Sequence, residues 1–148
     1  MKQILPDQIV TQVRQVLASQ LVEPVEMVLF LRQENCETCA DTQQLLEELV
    51  ALSDKLYLSV HDIEAEADLA RQMNVDKTPG IVLVGRDGEK QIDYGIRFAG
   101  VPSGYAFSTL INDLILVSGR DSKLQLMTRA SLQNIKKPVL LQVFSTPT

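Results

Sequence analysis

The chain is short of the residues that hold metals or staple secreted folds. Among 148 residues there are two cysteines and one histidine. Two cysteines three positions apart, with no others to pair, cannot build the disulfide framework of a small secreted domain. Zinc takes about four ligands, and two thiols with one histidine fall short of a closed site, so no metal is expected. Also missing is any basic stripe: the net charge is -5 and the sequence pI about 4.8, which argues against nucleic acid or an anionic membrane surface as main partner. No apolar run approaches the roughly 20 residues of a membrane span. The opening Met1-Lys2-Gln3-Ile4-Leu5-Pro6-Asp7 is too short and polar for a signal peptide. These absences lead us to expect a soluble cytoplasmic chain. With 45% hydrophobic residues, it can fill one well-buried core.

What the chain does have is Asn35-Cys36-Glu37-Thr38-Cys39, placed where an apolar run gives way to a helical pattern. Residues 25–31 read as a buried strand after Pro24, and residues 38–52 as a helix with Leu45, Leu46, Leu49, Val50 and Leu52 on one broad face. A strand-to-helix junction has chemical consequences for a thiol. Unpaired backbone N–H groups and the positive end of the helix dipole stabilise an anion, so Cys36 is expected to ionise more readily than a free thiol and to act as nucleophile. Residues i and i+3 share one side of a helical turn, about 5–6 Å apart, within reach of a disulfide. Cys39 is then the resolving thiol. Such a pair attacks a substrate disulfide, holds a mixed disulfide, and releases the reduced substrate as the internal bond closes. The dithiol carries the electrons itself, and no cofactor is expected. The competing readings are a buried structural pair or a metal site shared between chains.

The remaining pattern supplies a frame. Pro6 and Asp7 open a helix with Ile9, Val10, Val13, Val16, Leu17 and Leu21 at helical spacing. Residues 55–61 alternate as a strand, parallel to the first because a helix of about 15 residues connects them. Residues 62–73 read as an acidic helix capped by Asp62, facing inward with Ile63, Leu69, Ala70 and Met73. The apolar run 80–84, a turn at 86–89 and a return strand over 90–97 form a hairpin. Residues 105–117 make a last helix, burying Phe107, Leu110, Ile111, Leu114 and Ile115 and ended by Gly119. His61 closes the second strand. Nothing in the sequence places it near Cys36, so it reads as a strand-end residue.

This order, with Cys36-Glu37-Thr38-Cys39 after the first core strand and Thr78-Pro79 opening the third, resembles the thioredoxin and glutaredoxin superfamily. The resemblance implies an α/β thioredoxin-like fold, a mixed central sheet with helices on both faces. It also implies that Pro79 is cis and that Thr78 and Pro79 hold the substrate chain beside the cysteines. The stretch Ile96-Arg97-Phe98-Ala99-Gly100-Val101-Pro102-Ser103-Gly104-Tyr105 is similar to tandem glutaredoxin-like protein disulfide oxidoreductases and to the N-terminal domain of the alkyl hydroperoxide reductase flavoprotein. On that likeness Gly100 joins the substrate-binding set.

The tail repeats the start. Residues 123–135 read as a helix, and Lys137-Pro138-Val139-Leu140-Leu141-Gln142-Val143-Phe144 echoes Glu23-Pro24-Val25-Glu26-Met27-Val28-Leu29-Phe30. We expect residues 1–120 to be one thioredoxin-like domain, and 121–148 to be the helix and first strand of a truncated second unit, with a cysteine within the next few codons. Three departures from thioredoxins stand out: no aromatic residue precedes Cys36, no proline lies between the cysteines, and the buried acid is replaced. Phe30 occupies the position six before Cys36, where thioredoxins carry a buried acid, and glutaredoxin-like members also lack that acid. Glu37 opposes part of the helix-terminus effect, so a reducing to intermediate potential is expected.

The expected function is a thiol-disulfide oxidoreductase acting on protein disulfides. Its electrons would come from a thioredoxin-reductase-like donor or glutathione. The alternative is an electron-relay or partner-docking domain of a larger redox protein such as a peroxide-reductase system.

Overall fold

The computed structural model describes residues 2–146; of the expected tail, Pro147 and Thr148 lie outside the described residues, as does Met1. Helix α1 spans Asp7–Gln20, strand β1 Val25–Leu31, α2 Cys39–Val50, β2 Leu56–Asp62, α3 Ala67–Gln72, β3 Gly80–Asp87, β4 Lys90–Ala99, α4 Tyr105–Gly119 and α5 Leu126–Gln133. The sheet order is β2-β1-β3-β4. β1 is parallel to β2, with Phe30 opposite His61, and antiparallel to β3, with Phe30 opposite Gly80. The α2 crossover between β1 and β2 accounts for their parallel sense, as expected.

β1 and β3 are the buried strands because they lie inside the sheet, and β1 is covered on both faces. Alternate residues feed two cores. Val25, Met27 and Leu29 meet Leu17 of α1, Leu46 and Leu49 of α2, and Leu110 and Leu114 of α4. Val28 and Phe30 meet Ile63 together with Ala70 and Met73 of the α3 side, and Val82 and Val84 of β3. Helices therefore stand on both faces of a mixed four-stranded sheet, as expected. Phe107, expected to be buried, is half-buried at the margin of the first core.

The hairpin departs from a plain ladder. Pairing of β3 with β4 slips between Leu83 and Val84, so that Ile96 and Asp93 are successive partners and Tyr94 and Gly95 bulge out. Gly95 supplies the positive φ of 86° that this bulge requires, and its N–H is held by Asp93 Oδ1 at 2.8 Å.

At the end of the sheet away from the cysteines, Ser118 is fully buried and clasps α4 to the entry of β1. Its hydroxyl accepts the Val22 and Glu23 N–H groups at 2.8 and 3.1 Å and donates to the Glu23 carbonyl at 2.7 Å. Next to it, the Arg120 guanidinium donates to the carbonyls of Val117, Pro24 and Arg86.

Two expectations are corrected here. The helix expected from Asp62 begins five residues later, at Ala67. Asp62 ends β2, and its carboxylate takes the N–H groups of Glu64 and Ala65, each at 2.9 Å, which folds a turn instead of the first turn of a helix. The strand expected over 137–144 does not form. Residues 134–146 join no ladder and are exposed, and α5, shorter than expected, buries no residue. An apolar strand sequence has nothing to pair with there, and pairing is what makes a strand. No helix among the described residues is long and apolar enough to cross a membrane.

Candidate redox site

β1 ends at Leu31, and the chain turns through Asn35, in the left-handed region at φ 57°, before α2 begins at Cys39. Cys36 and Cys39 are joined as a disulfide, with Cα atoms 5.5 Å apart. Cys36 lies in the turn ahead of α2, three residues before the helix begins, where a start at Thr38 would have left two. The Cys39 N–H still reaches the Cys36 carbonyl at 3.5 Å, and Thr42 ties down the turn by donating its N–H and hydroxyl to the Thr38 carbonyl at 3.0 and 2.7 Å. The two sulfurs are not equivalent. Cys39 is buried, at 6% exposure, and Cys36 is partly exposed. Glu34 and Glu37 flank the turn as exposed carboxylates.

Beside the disulfide opens a groove of about 370 Å³, bounded by Arg32 and Gln33 of the loop, Cys36, Cys39 and Gln43 around α2, and His61 and Asp62 of β2. Arg32 Nε stands 3.1 Å from a Glu64 carboxylate oxygen, an ion pair by distance without the alignment of a hydrogen bond. The Ala65 and Glu64 N–H groups hold the Asp62 carboxyl below its ordinary range.

His61 is a strand-end residue as read, near the end of β2, and it also lines the groove beside the cysteines, which the sequence reading did not see. The parallel register puts it opposite Phe30, at the same end of the sheet as the turn that carries Cys36. The signal was present in the sequence: parallel strands joined by a crossover helix end at one edge, and ligands gather beyond their carboxyl ends.

The Thr78-Pro79 peptide is cis. The loop leads into Gly80, which pairs with Phe30 of β1, so it leaves the sheet at the end that carries the cysteine turn. Pro79 is buried, and its carbonyl takes the Gly100 N–H at 2.8 Å, so Pro79 and Gly100 are brought together. Among the described residues no backbone hydrogen bond engages the N–H or carbonyl of Thr78. Gly80 allows no side chain: a Cβ would sit 2.6 Å from the Lys77 carbonyl and from Val75 Cγ1. Thr78, Pro79 and Gly100 take no part in the groove beside the disulfide, which opens on the β2 side.

With a cis proline at the head of the third core strand and a closed C-x-x-C after the first, the architecture is decided. The chain has a thioredoxin-like fold. No protein-family model matches it. The NADH dehydrogenase of Ferdinandcohnia aciditolerans is 31% identical over 133 residues, 90% of this chain and 22% of that protein. An alkyl hydroperoxide reductase component of Xanthomonas campestris pv. phaseoli is 37% identical over 79 residues, 53% of this chain and 12% of that protein. A protein disulfide oxidoreductase from Aeropyrum pernix superposes with a TM-score of 0.75 at 26% identity, over 88% of this chain and 55% of that one. The thioredoxin-like chain thus spans less than a quarter of the length of either of these curated relatives.

Proposed function

We propose that this chain is a thiol-disulfide oxidoreductase that reduces or exchanges protein disulfides. The observation that carries the proposal is the closed Cys36–Cys39 pair, with Cys36 partly exposed ahead of α2 and Cys39 buried at its first residue. Cys36 attacks the substrate disulfide and Cys39 resolves the mixed disulfide. Thr78 offers an unpaired backbone edge to an extended substrate segment, Pro79 shapes that edge, and Gly100 braces it through the Pro79 carbonyl. Re-reduction by a thioredoxin-reductase-like donor or by glutathione completes the cycle, and a reducing compartment such as the cytoplasm suits it. Residues 121–148 belong, in this reading, to the start of a second unit.

A second reading is favoured by the length of the relatives, since two of them are components of alkyl hydroperoxide reductase and the chain covers 12% and 16% of their lengths. There the chain would relay electrons or dock a partner within a peroxide-reductase system. One set of measurements separates the two. Thiol labelling in glutathione or dithiothreitol buffers should give one two-electron transition, insulin should be reduced catalytically, and Cys39→Ser should trap mixed disulfides with several proteins. Closure without insulin turnover, with trapping of a single partner, would favour the relay.

A further inference from the structure

Resolution of a mixed disulfide requires Cys39 to lose its proton, and Cys39 is buried. The strand position where thioredoxins carry an acid holds Phe30 here. Phe30 is fully buried, and its ring packs on the imidazole of His61, centroids 5.4 Å apart and planes tilted by 31°. The imidazole is fixed from one side: its Nδ1 is 2.9 Å from both carboxylate oxygens of Glu66. A carboxylate only accepts, so Nδ1 carries the hydrogen, and in the neutral ring the lone pair is at Nε2. Nε2 has no protein partner among the described residues. His61 lines the same groove as Cys36 and Cys39.

We propose that His61, oriented by Glu66, is the proton acceptor for Cys39 in the resolving step. This rests on the oxidoreductase reading and deepens it. In the mixed disulfide, Cys39 Sγ–H gives its proton across the solvent-open groove to His61 Nε2. The Cys39 thiolate attacks Cys36 Sγ. The Cys36–Cys39 bond forms, and the bond from Cys36 to the substrate sulfur breaks, with its electron pair leaving on that sulfur. The imidazolium, stabilised by the Glu66 carboxylate, returns the proton to the departing thiolate. Two electrons pass from the dithiol to the substrate, and the proton count is unchanged. His61 is bonded to Glu66 of the turn before α3 and shares its groove with Arg32 of the loop after β1, Asp62 beside it on β2, Cys36 ahead of α2 and Cys39 at the first residue of α2; Glu64 pairs with Arg32. Arg32 is paired with Glu64 and Asp62 with backbone N–H groups, which leaves the imidazole Nε2 as the unpartnered acceptor of the set.

The test is single-turnover reaction of the reduced full chain with a stoichiometric aromatic disulfide that releases a coloured thiolate. Attack by Cys36 releases the first thiolate, and closure by Cys39 releases the second. His61→Gln should leave the first phase within about twofold and slow the second about a hundredfold near neutral pH. The pH profile of the second phase should lose its lower inflection and follow the thiol alone. Glu66→Gln, an exposed change that leaves the fold intact should His61→Gln not fold, should slow the second phase by about tenfold. A second phase with unchanged rate and pH profile in both variants would overturn the proposal. Insulin reduction by the wild type is followed in parallel. Histidine-dependent closure without insulin turnover ends the oxidoreductase reading and keeps the proton acceptor, while insulin turnover with histidine-independent closure does the reverse.

Discussion

The chain contains one sequence pattern twice, and the two copies have opposite fates. Pro24-Val25 through Phe30 forms the central strand, with Val25 and Phe30 fully buried; Pro138-Val139 through Phe144 forms no strand, with Val139 66% and Phe144 89% exposed. Composition and spacing are nearly the same in both. The first copy has β2 and β3 alongside it and three helices against one face, whereas the second has only the short α5 before it. Strand propensity here is fitness for a pleated, buried surface, and it is realised only where neighbours supply that surface.

The sharpest break of this comparison is one substitution made in both copies. Phe30→Ala opens a cavity between the sheet and α3 and should cost about 3–5 kcal/mol. Phe144→Ala should stay within about 0.5 kcal/mol. Urea unfolding followed by far-UV circular dichroism checks both, and a comparable loss from Phe144→Ala would mean the tail is packed in solution. Next in size is Gly80→Ala, because the added Cβ meets the backbone carbonyl of Lys77 and the β-branched Val75. About 1–3 kcal/mol should be lost, and insulin reduction should fall with it as the Pro79 loop is displaced. Gly119→Ala, at a position with open space, is the control and should leave both unchanged. Smaller again is Ser118→Ala, which strands the Val22 N–H and the Glu23 carbonyl, and should cost about 1–2 kcal/mol by the same unfolding measurement. Ser122→Ala, on the tail side of α4, should have no effect.

Most of the frame was legible because it is local. The apolar periods of α1, α2 and α4, the unbroken apolar run of β1 and the hairpin turn are each visible within about fifteen residues, and the C-x-x-C sits on a boundary that both flanks announce. The parts that were hidden depend on residues far apart in sequence. Ser118 and Arg120 secure the entry of β1 from about 96 residues away, and neither has a local pattern that marks it. His61 lines the groove beside the disulfide because the parallel register carries it to the end of β1. The late start of α3 was hidden for a different reason: an acidic run suits a helix N-terminus and an Asx turn equally well, and the Asp62 carboxylate chose the nearer N–H groups. The cis state of the Thr78-Pro79 peptide came from the resemblance alone, since a proline at a strand start can be either isomer.

The smallest effect separates two Asp–Arg pairs, one in the packed body and one in the tail. Asp93 receives two hydrogen bonds from Arg97, at 2.9 and 2.7 Å, and Asp121 receives one from Arg129 at 2.6 Å. The Arg97 bonds, then the Gly95 N–H, hold the Asp93 carboxyl below its ordinary range against a partial opposing effect of burial. A carboxyl depressed in the fold adds stability that is present above the unfolded pKa, near 3.9, and disappears as the pH falls through the lower folded value. Both carboxylates are partly exposed, so solvent screening keeps the contribution small. The two pairs still differ in what holds the arginine. Arg97 also donates Nε to the Met73 carbonyl at 2.7 Å, which locks it between β4 and the end of α3, so little side-chain freedom remains to be lost when Asp93 binds. Among the described residues the Arg129 side chain bonds only within its own tail, to the Leu124 carbonyl and Asp121. Asp93→Asn should therefore lower the urea midpoint at pH 7 by a few tenths molar, and the gap to wild type should close as the pH falls through the lowered folded value. Asp121→Asn should show no gap at either pH, and an equal gap would mean that α5 is as firmly docked as the sheet.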